Sequence, residues 1–512
     1  MRLRDLTSML MLMLPVAAAS PAARASYAFY VGKNLTEAGV VMVGGSGEEV
    51  SSHWLEIVPA RDHPAGATVV VGVTAAAGIP GALSEIPQVR HTARYLSMSY
   101  TEYEGFPAPL TNGGVNEHLV AVRDVWAPSR DELLAMTPTP QRGPQYSDLA
   151  RLVLERAKTA REGVELIGAL IAKYGYSTYG GNTHMIADPT EGWVVWEFAG
   201  GAGLWAAERL GPDAIRVLYP GYIEEFPSDF RKNPDFMGSD NIVQFAIEQG
   251  WYDPKSGEPF NVFEVYGNQR ATAREGGFAY MSQAALEAAV RDMAPVSERD
   301  LMDRLRDKRI TDDHAGYGQV VSLRPGLDAD LIRIWVAPTG SVAAPFIPWW
   351  LGVQQIPVEF GAHRYLTAGS SSTFLNNDFQ LQEASDFAGR RFKQVLYYMC
   401  EKPAVYHPAV TEMLEGFERA SMADLPWIER SAQTLIHKGQ REDARRLLTF
   451  YSQTRARDAM QLGSALVGWL RASAELVTGV RRPTQPGPEI SRGKGLVTCL
   501  EGIDPDTPAD AQ

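Results

Sequence analysis

The chain has 512 residues, of which 45% are hydrophobic and 21% charged, so it is long enough for about two to four domains and can bury a large core. Its formal net charge of −13 and the lack of a basic patch argue against nucleic acid as a partner. Two cysteines, Cys400 and Cys499, are too few for a disulfide framework. In an oxidising compartment they could pair once, and the alternative is a pair of buried thiols.

The first 25 residues contain the three parts of a secretory signal peptide. Two arginines lie within the first four residues, Met9–Leu14 form an apolar core, and Ala23-Arg24-Ala25 matches the A-x-A pattern that precedes cleavage. This core is much shorter than the ~20 apolar residues that a membrane span needs, and no later segment is long enough. We therefore expect cleavage before Ser26 and export of the mature protein to the periplasm or the cell exterior, without a membrane anchor. A cut after Ala19 is the alternative, and it would leave extra residues ahead of Ser26.

Short apolar runs typical of strands dominate the chain from Ser26 to about Pro348. The predicted strands include Tyr27–Val31, Trp54–Val58, Ala67–Val73, His118–Trp126, Trp193–Phe198, Gln319–Leu323 and Ile332–Ala337. Apolar residues at helical spacing interrupt them and predict two helices, Asp148–Lys158 and Ala160–Tyr174. Thr159 and Glu162 form a capping-box pattern at the start of the second helix.

Residues 385–480 are predicted to be nearly all helical and to pack on the strand-rich part, residues 26–384. Pro403, Pro408 and Pro426 are expected to divide this region into segments of roughly three to five turns. The Pro/Gly-rich tail, residues 481–512, is expected to be extended or disordered. Strands first and helices last predict an α+β fold and not alternating βαβ units.

Common catalytic motifs are absent from the sequence. It contains no G-x-S-x-G, no H-E-x-x-H and no G-x-x-x-x-G-K-[ST], and its nine histidines are scattered without the spacing of metal ligands. The sequence therefore implies no metal and no cofactor.

Ser26 is the main catalytic candidate because of its place at the expected new terminus. A terminal serine has a nucleophilic hydroxyl and, in its free α-amine, a base that can take the hydroxyl proton. A small residue after the cut is also what signal peptidase tolerates, so the signal alone does not separate the two interpretations.

Five sequence blocks give Ser26 a family context. Ser26-Tyr27-Ala28-Phe29-Tyr30-Val31-Gly32-Lys33 resembles the opening of the dipeptidase A/secernin family of N-terminal-nucleophile hydrolases, which begins C-T-T, two hydrophobic residues and V-G-K. The four other blocks follow in the family order: Gly114–His118, Asp148–Ala160, Asn182–Glu197 and Ile334–Val353. The resemblance extends from Ser26 to about residue 460.

The resemblance implies a four-layer αββα fold and hydrolysis of dipeptides by a nucleophile at the chain terminus. Ser26 would supply the nucleophile and, through its amine, the base. Asn116 lies in the block that matches G-[LV]-N-E and is the candidate oxyanion donor, with a turn asparagine that binds local backbone as the alternative. Arg123 and Asp124 follow on the next strand and would either line the same pocket or form a surface ion pair.

Three departures from the family pattern affect the site. Ser26 replaces the usual cysteine, and a hydroxyl is a weaker nucleophile than a thiol. Where relatives read R-N-x-D, this chain has Gly45-Ser46-Gly47-Glu48, so the arginine is missing and Glu48 takes the place of the aspartate. Glu48 would bind the substrate amine or orient the Ser26 terminus, or it is a solvated turn carboxylate. A later I-S-N-x-L-x-I block has become Val217–Ile223.

The sequence thus predicts an exported dipeptidase that takes small peptide substrates, with its oligomeric state left open. One alternative is an acylase on the same fold, which would cleave N-acyl amides. Another is an inactive homologue that only binds peptides.

Overall fold

The structure is a computed structural model that describes residues 26–48, 53–100, 105–218, 221–268, 283–307, 315–363 and 386–478. The expected signal peptide, the expected tail and Cys499 lie outside these ranges.

The first sheet has six antiparallel strands in the order β14-β1-β2-β16-β17-β18. Its strands are β1 (Tyr27–Val31), β2 (Val41–Glu48), β14 (Ile215–Leu218), β16 (Ala315–Leu323), β17 (Arg333–Ala337) and β18 (Ile347–Trp350). Strand β1 lies inside the sheet, between β14 and β2, and all five of its residues are buried. The segment that directly follows Ser26 is therefore fixed by neighbours on both sides.

The second sheet has eight antiparallel strands in the order β15-β13-β12-β11-β10-β9-β8-β3. Its strands are β3 (His53–Val58), β8 (Tyr95–Tyr100), β9 (Leu110–Asn116), β10 (Ala121–Trp126), β11 (Asn182–Ala187), β12 (Gly192–Glu197), β13 (Trp205–Leu210) and β15 (Phe236–Gly238). Two small ribbons pair β4 (Arg61–Asp62) with β7 (His91–Thr92) and β5 (Thr68–Val71) with β6 (Ser84–Pro87).

The helices cover the outer faces of the two sheets. Helices α2 and α3 pack on strands β9 to β12, while α6, α7 and the C-terminal helix α10 pack on the six-stranded sheet. The helices are α1 (Asp131–Met136), α2 (Tyr146–Arg156), α3 (Ala160–Tyr174), α4 (Ile242–Glu248), α5 (Val262–Tyr266), α6 (Gln283–Arg291), α7 (Glu298–Arg306), α8 (Ala388–Met399), α9 (Pro403–His437) and α10 (Arg441–Thr478). Because the inner faces of the two sheets also contact each other, the layers run helix, sheet, sheet, helix. The predicted α+β class and the αββα layering are confirmed.

Local sequence explains the ends of α3. The Thr159 side chain accepts a hydrogen bond from the backbone N–H of Glu162 (3.1 Å), as the capping pattern predicts. The Glu162 carboxylate accepts from the backbone N–H of Lys158 (2.8 Å), one residue before the position in a standard capping box. Gly175 follows the helix with φ of +85°, a conformation that glycine adopts without a steric cost.

The predicted helix breaks at Pro408 and Pro426 are wrong. Pro403 is the first residue of α9, where a missing N–H has no cost, but the other two prolines lie inside this 35-residue helix. An interior proline costs about 3 kcal/mol through its lost hydrogen bond and its ring clash. Packing offsets that cost, since each buried aliphatic side chain contributes about 1.5–3 kcal/mol. The buried apolar residues of α9 include Val410, Leu414, Leu425, Ile428 and Ala432.

Ion pairs also join the C-terminal helices to the rest of the chain. Arg306 of α7 and Glu418 of α9 form a buried pair (2.5 Å). The Asp330 carboxylate, fully buried, binds Arg94 (2.7 Å) and two arginines of α10, Arg441 (2.7 Å) and Arg445 (2.9 Å). Among the described helices, none is both long enough and apolar enough to span a membrane.

Candidate active site

Ser26 directly precedes β1 and faces the space between the two sheets. In the ladder of β1 with β2, Tyr27 pairs with Ser46 and Ala28 with Gly45, so the register continues to Ser26 opposite Gly47. Side chains on a strand alternate between the two faces, so Ser26 shares a face with Tyr30. The Tyr30 hydroxyl donates to the backbone carbonyls at the end of β13, 3.1–3.2 Å away in the other sheet. Ser26 is 7% exposed, and the alternation of side chains places its own in the seam between the sheets, just before the start of β1.

Two glycines of β2 leave room on this face. A Cβ added to Gly45 would lie 2.3 Å from the Tyr27 carbonyl oxygen and 2.7 Å from Nε of Arg123. A Cβ on Gly47 would lie 2.2 Å from the ring of Tyr317. Strand β2 thus contributes backbone alone next to Ser26, and side chains from other strands fill the space.

Arg123 of β10 fills most of this space. Its side chain is 1% exposed; Nη1 donates to the Asn112 carbonyl (2.8 Å) and Nη2 to the Ser46 carbonyl (3.3 Å). These two bonds connect β9 of one sheet with β2 of the other. The guanidinium lies 5.0 Å from the centre of the Tyr317 ring, and its Nε has no hydrogen-bond partner among the described residues. Neither acceptor is a carboxylate, so hydrogen bonds alone do not neutralise this buried charge.

Asp124 is on the opposite face of β10 from Arg123 and is also buried, so the two do not form a surface ion pair. The Asn112 amide donates to Asp124 Oδ1 (3.2 Å), and its oxygen lies 2.9 Å from Nε2 of His53. Burial raises the pKa of Asp124, and the nearby guanidinium of Arg123 lowers it by less. Asn112 therefore connects three ionisable side chains, those of Arg123, Asp124 and His53.

A second buried pair, His184 of β11 and Glu197 of β12, lies beneath α2. His184 Nδ1 is 2.7 Å from the Glu197 carboxylate, and Nε2 is 2.9 Å from the Tyr146 carbonyl, so both side chains are fully enclosed. Burial lowers the pKa of His184, but Glu197 more than compensates and the net shift is upward. Sequence analysis missed this pair. The available signal was a histidine and a glutamate within two otherwise apolar strands.

Asn116 has a structural position that does not support its predicted role as an oxyanion donor. Both hydrogens of its amide group are used, by the carbonyls of Leu154 (3.1 Å) and Ala157 (2.8 Å) at the end of α2. Its oxygen accepts from the backbone N–H groups of His118 and Val120, each 3.0 Å away. The side chain thus points to the helix layer and not to the seam that contains Ser26. The two bonds that its oxygen accepts are those of the turn asparagine named as the alternative, whereas the bonds of its amide group go to carbonyls 38 and 41 residues away.

Glu48, the predicted substrate-binding residue, is the last residue of β2 and pairs through its backbone with Ala315. Its side chain lies outside the described residues, so its predicted role stays a prediction.

Comparison with known proteins gives partial matches. The sequence profile of peptidase family C69, a cysteine-type peptidase family, matches residues 85–284. A probable dipeptidase B from Lactococcus lactis subsp. lactis is 40% identical over 27% of this chain and 27% of its own length. A dipeptidase from Bifidobacterium longum is 31% identical over 30% of this chain and 32% of its own length. The alignments therefore span about a third or less of these relatives, and they support a hydrolase.

Among solved structures, the chain is similar to a mutant conjugated bile acid hydrolase from Clostridium perfringens. The overlap covers 61% of this chain and 89% of that chain, at 12% sequence identity and a TM-score of 0.31.

Proposed function

We propose that the protein is an exported dipeptidase whose nucleophile is Ser26, exposed as the first residue when residues 1–25 are removed. The placement of Ser26 carries the proposal, since it is buried and directly precedes β1, whose first residue pairs with Ser46, the residue that accepts a hydrogen bond from the Arg123 guanidinium. The match to a peptidase family and the relatives named dipeptidases support peptides as the substrate class.

The nucleophile and the proton transfers of the reaction come from the two polar groups of a terminal serine. The Ser26 hydroxyl oxygen attacks the carbonyl carbon of the peptide bond while the α-amine accepts the hydroxyl proton. The tetrahedral intermediate collapses, the C–N bond breaks, and the same proton passes to the departing amine. Water then attacks the resulting ester, with the α-amine again as base, and releases the acid and the free serine. The ordinary pKa of an α-amine, about 7.7–8.0, allows this exchange near neutral pH.

Processing and chemistry are tested together. N-terminal sequencing of the exported protein is expected to begin at Ser26, and a start upstream of Ser26 would contradict the proposal because the amine would be blocked. In the processed protein, Ser26→Ala is expected to abolish dipeptide hydrolysis, whereas Ser26→Cys retains or raises it because a thiol is the better nucleophile.

Ser46→Ala is the matched control. Ser46 is buried in the neighbouring strand, opposite Tyr27, so its side chain lies on the other face of the sheet from Ser26. Its hydroxyl has no hydrogen-bond partner among the described residues. We expect this variant to keep full activity. Equal losses in Ser46→Ala and Ser26→Ala would indicate a folding defect and not a catalytic hydroxyl.

The substrate class is tested with matched pairs. A dipeptide and its N-acetyl derivative are compared at equal concentration, and we expect only the free-amine form to be cleaved. Preferential cleavage of the acylated form would identify an acylase. No cleavage of either form by the wild type or by Ser26→Cys would identify an inactive peptide-binding homologue.

A further inference from the structure

We propose that Arg123 is a positioning residue for Ser26: from β10 its guanidinium takes the place of the arginine missing from β2 and keeps the Ser26 amine in its free-base form. This inference rests on the proposed function, because it needs a free α-amine at Ser26. Arg123 belongs to the eight-stranded sheet and Ser26 precedes a strand of the six-stranded sheet, so the inference gives both sheets a role in the reaction.

The first argument is spatial. Gly45 stands where the family pattern has arginine, and a Cβ at this position would lie 2.7 Å from Nε of Arg123. The guanidinium of Arg123 therefore occupies the volume that a side chain from position 45 would enter. A side chain at position 45 would also meet the Tyr27 carbonyl oxygen at 2.3 Å, so β2 presents only backbone beside the guanidinium.

The second argument concerns direction. Nη2 of Arg123 donates to the carbonyl of Ser46, and Ser46 pairs with Tyr27, the residue after Ser26. The charged end of the side chain thus lies beside the first peptide of the mature chain. A second hydrogen bond, from Nη1 of Arg123 to the Asn112 carbonyl of the eight-stranded sheet (2.8 Å), holds the guanidinium in this position.

The third argument is electrostatic. An arginine side chain stays protonated in proteins, so it cannot lose its charge when buried. A positive charge disfavours the protonated form of a neighbouring amine and lowers the pKa of that amine. At an effective dielectric constant of about 20, two unit charges roughly 10 Å apart give a shift of about one pH unit. That shift would make most of the Ser26 amine available as a base at neutral pH.

Other ionisable groups lie nearby. His53 of β3 and Tyr317 of β16 face the same space, with their rings 5.0 Å apart. Asp124 of β10 is connected to His53 through the Asn112 side chain (3.2 and 2.9 Å), His184 of β11 is buried beneath α2, and the Glu48 side chain lies outside the described residues. A histidine side chain ordinarily titrates at about 6.5, near the range of interest, and His53 is the histidine packed against Tyr317, so a His53→Gln variant is a necessary control.

The test is the pH profile of kcat/KM for one dipeptide, measured on the processed protein. The acidic limb of this profile reports the pKa of the essential base in the free enzyme. Because every variant is assayed with the same substrate, a difference in the midpoint between variants comes from groups of the enzyme. We expect a wild-type midpoint below the ordinary amine value of about 7.7. Arg123→Lys should keep that midpoint, and Arg123→Met should raise it by about one unit. His53→Gln should leave it unchanged.

A second substitution at position 123 gives an independent check. Arg123→Ser also removes the positive charge, so it is expected to raise the midpoint as Arg123→Met does. An unmoved midpoint in Arg123→Met would overturn the inference. If that variant does not fold, a wild-type midpoint at or above the ordinary amine pKa overturns it instead. Full activity of Ser26→Ala would contradict the proposed function itself. If Ser26→Ala is inactive but Arg123→Met has the midpoint of the wild type, only the role of Arg123 is contradicted.

Discussion

Arg123 and Gly45 face each other across the seam between the two sheets, so close that a Cβ on Gly45 would lie 2.7 Å from the guanidinium Nε and 2.3 Å from a backbone oxygen. The long Arg123 side chain of the eight-stranded sheet fits only because Gly45 of the six-stranded sheet has no side chain. Because the interior is closely packed here, the arrangement requires both the arginine at position 123 and a glycine at position 45.

Gly45→Ala is therefore expected to destabilise the protein by about 1–3 kcal/mol, the usual cost of overpacking a filled interior. Gly78→Ala is the control, because a Cβ there meets open space. Urea unfolding of the two variants measures the difference in free energy of unfolding. Equal stabilities of the two variants would show that the seam is not packed as described.

Asn116→Ala is expected to lower stability rather than to remove a catalytic group. The change leaves the carbonyls of Leu154 and Ala157 and two backbone N–H groups without their partner, and each unsatisfied buried group costs about 1–3 kcal/mol. Thermal unfolding and kcat are measured on the same preparation, with Asn34→Ala, at an exposed site, as the control. A native melting temperature with kcat reduced about 10²–10³-fold would instead restore Asn116 as an oxyanion donor.

Asp330 makes the contact between Arg94, which directly precedes β8, and α10 sensitive to acid. Burial raises its pKa, but hydrogen bonds from Arg445, Arg94 and Arg441 outweigh burial and hold the pKa below the ordinary value. A carboxyl group with a depressed folded-state pKa stabilises the fold above its unfolded-state pKa of about 3.9, and this stability is lost as pH falls through the lower folded value.

Asp330→Asn should therefore be less stable than the wild type at pH 7 and should lose less stability between pH 5 and pH 2. Urea unfolding across this range measures both effects. Parallel pH profiles for the two proteins would show that Asp330 does not contribute to the acid sensitivity.

Pro426→Ala should stabilise α9. Pro426 is exposed, and alanine at this position restores a backbone N–H that can donate to the carbonyl four residues earlier. An interior proline is about 3 kcal/mol less favourable than alanine in a helix, so we expect a higher melting temperature. Pro403→Ala is the control, because a proline at the first helical position has no comparable cost. A rise in Pro403→Ala as large as that in Pro426→Ala would contradict this explanation.

The sequence alone determined those parts of the protein whose signals are local. The predicted bounds of β1 and α3 match the structure, because a run of apolar residues and a capping threonine with a terminal glycine act within a few residues of themselves. The α+β class followed in the same way from the order of strand-like and helical patterns.

The tertiary structure decided everything that depends on distant partners. Asn116 binds carbonyls 38 and 41 residues away, and Arg123 binds a carbonyl 77 residues away in the other sheet, so no local pattern separated a catalytic role from a structural one. Pro408 and Pro426 are local helix breakers, but the buried face of α9 outweighs them. Even for a proline the local helix preference amounts to about 3 kcal/mol, and the burial of a whole face exceeds it. Sequence therefore selects the elements, and packing decides which side chains meet at Ser26.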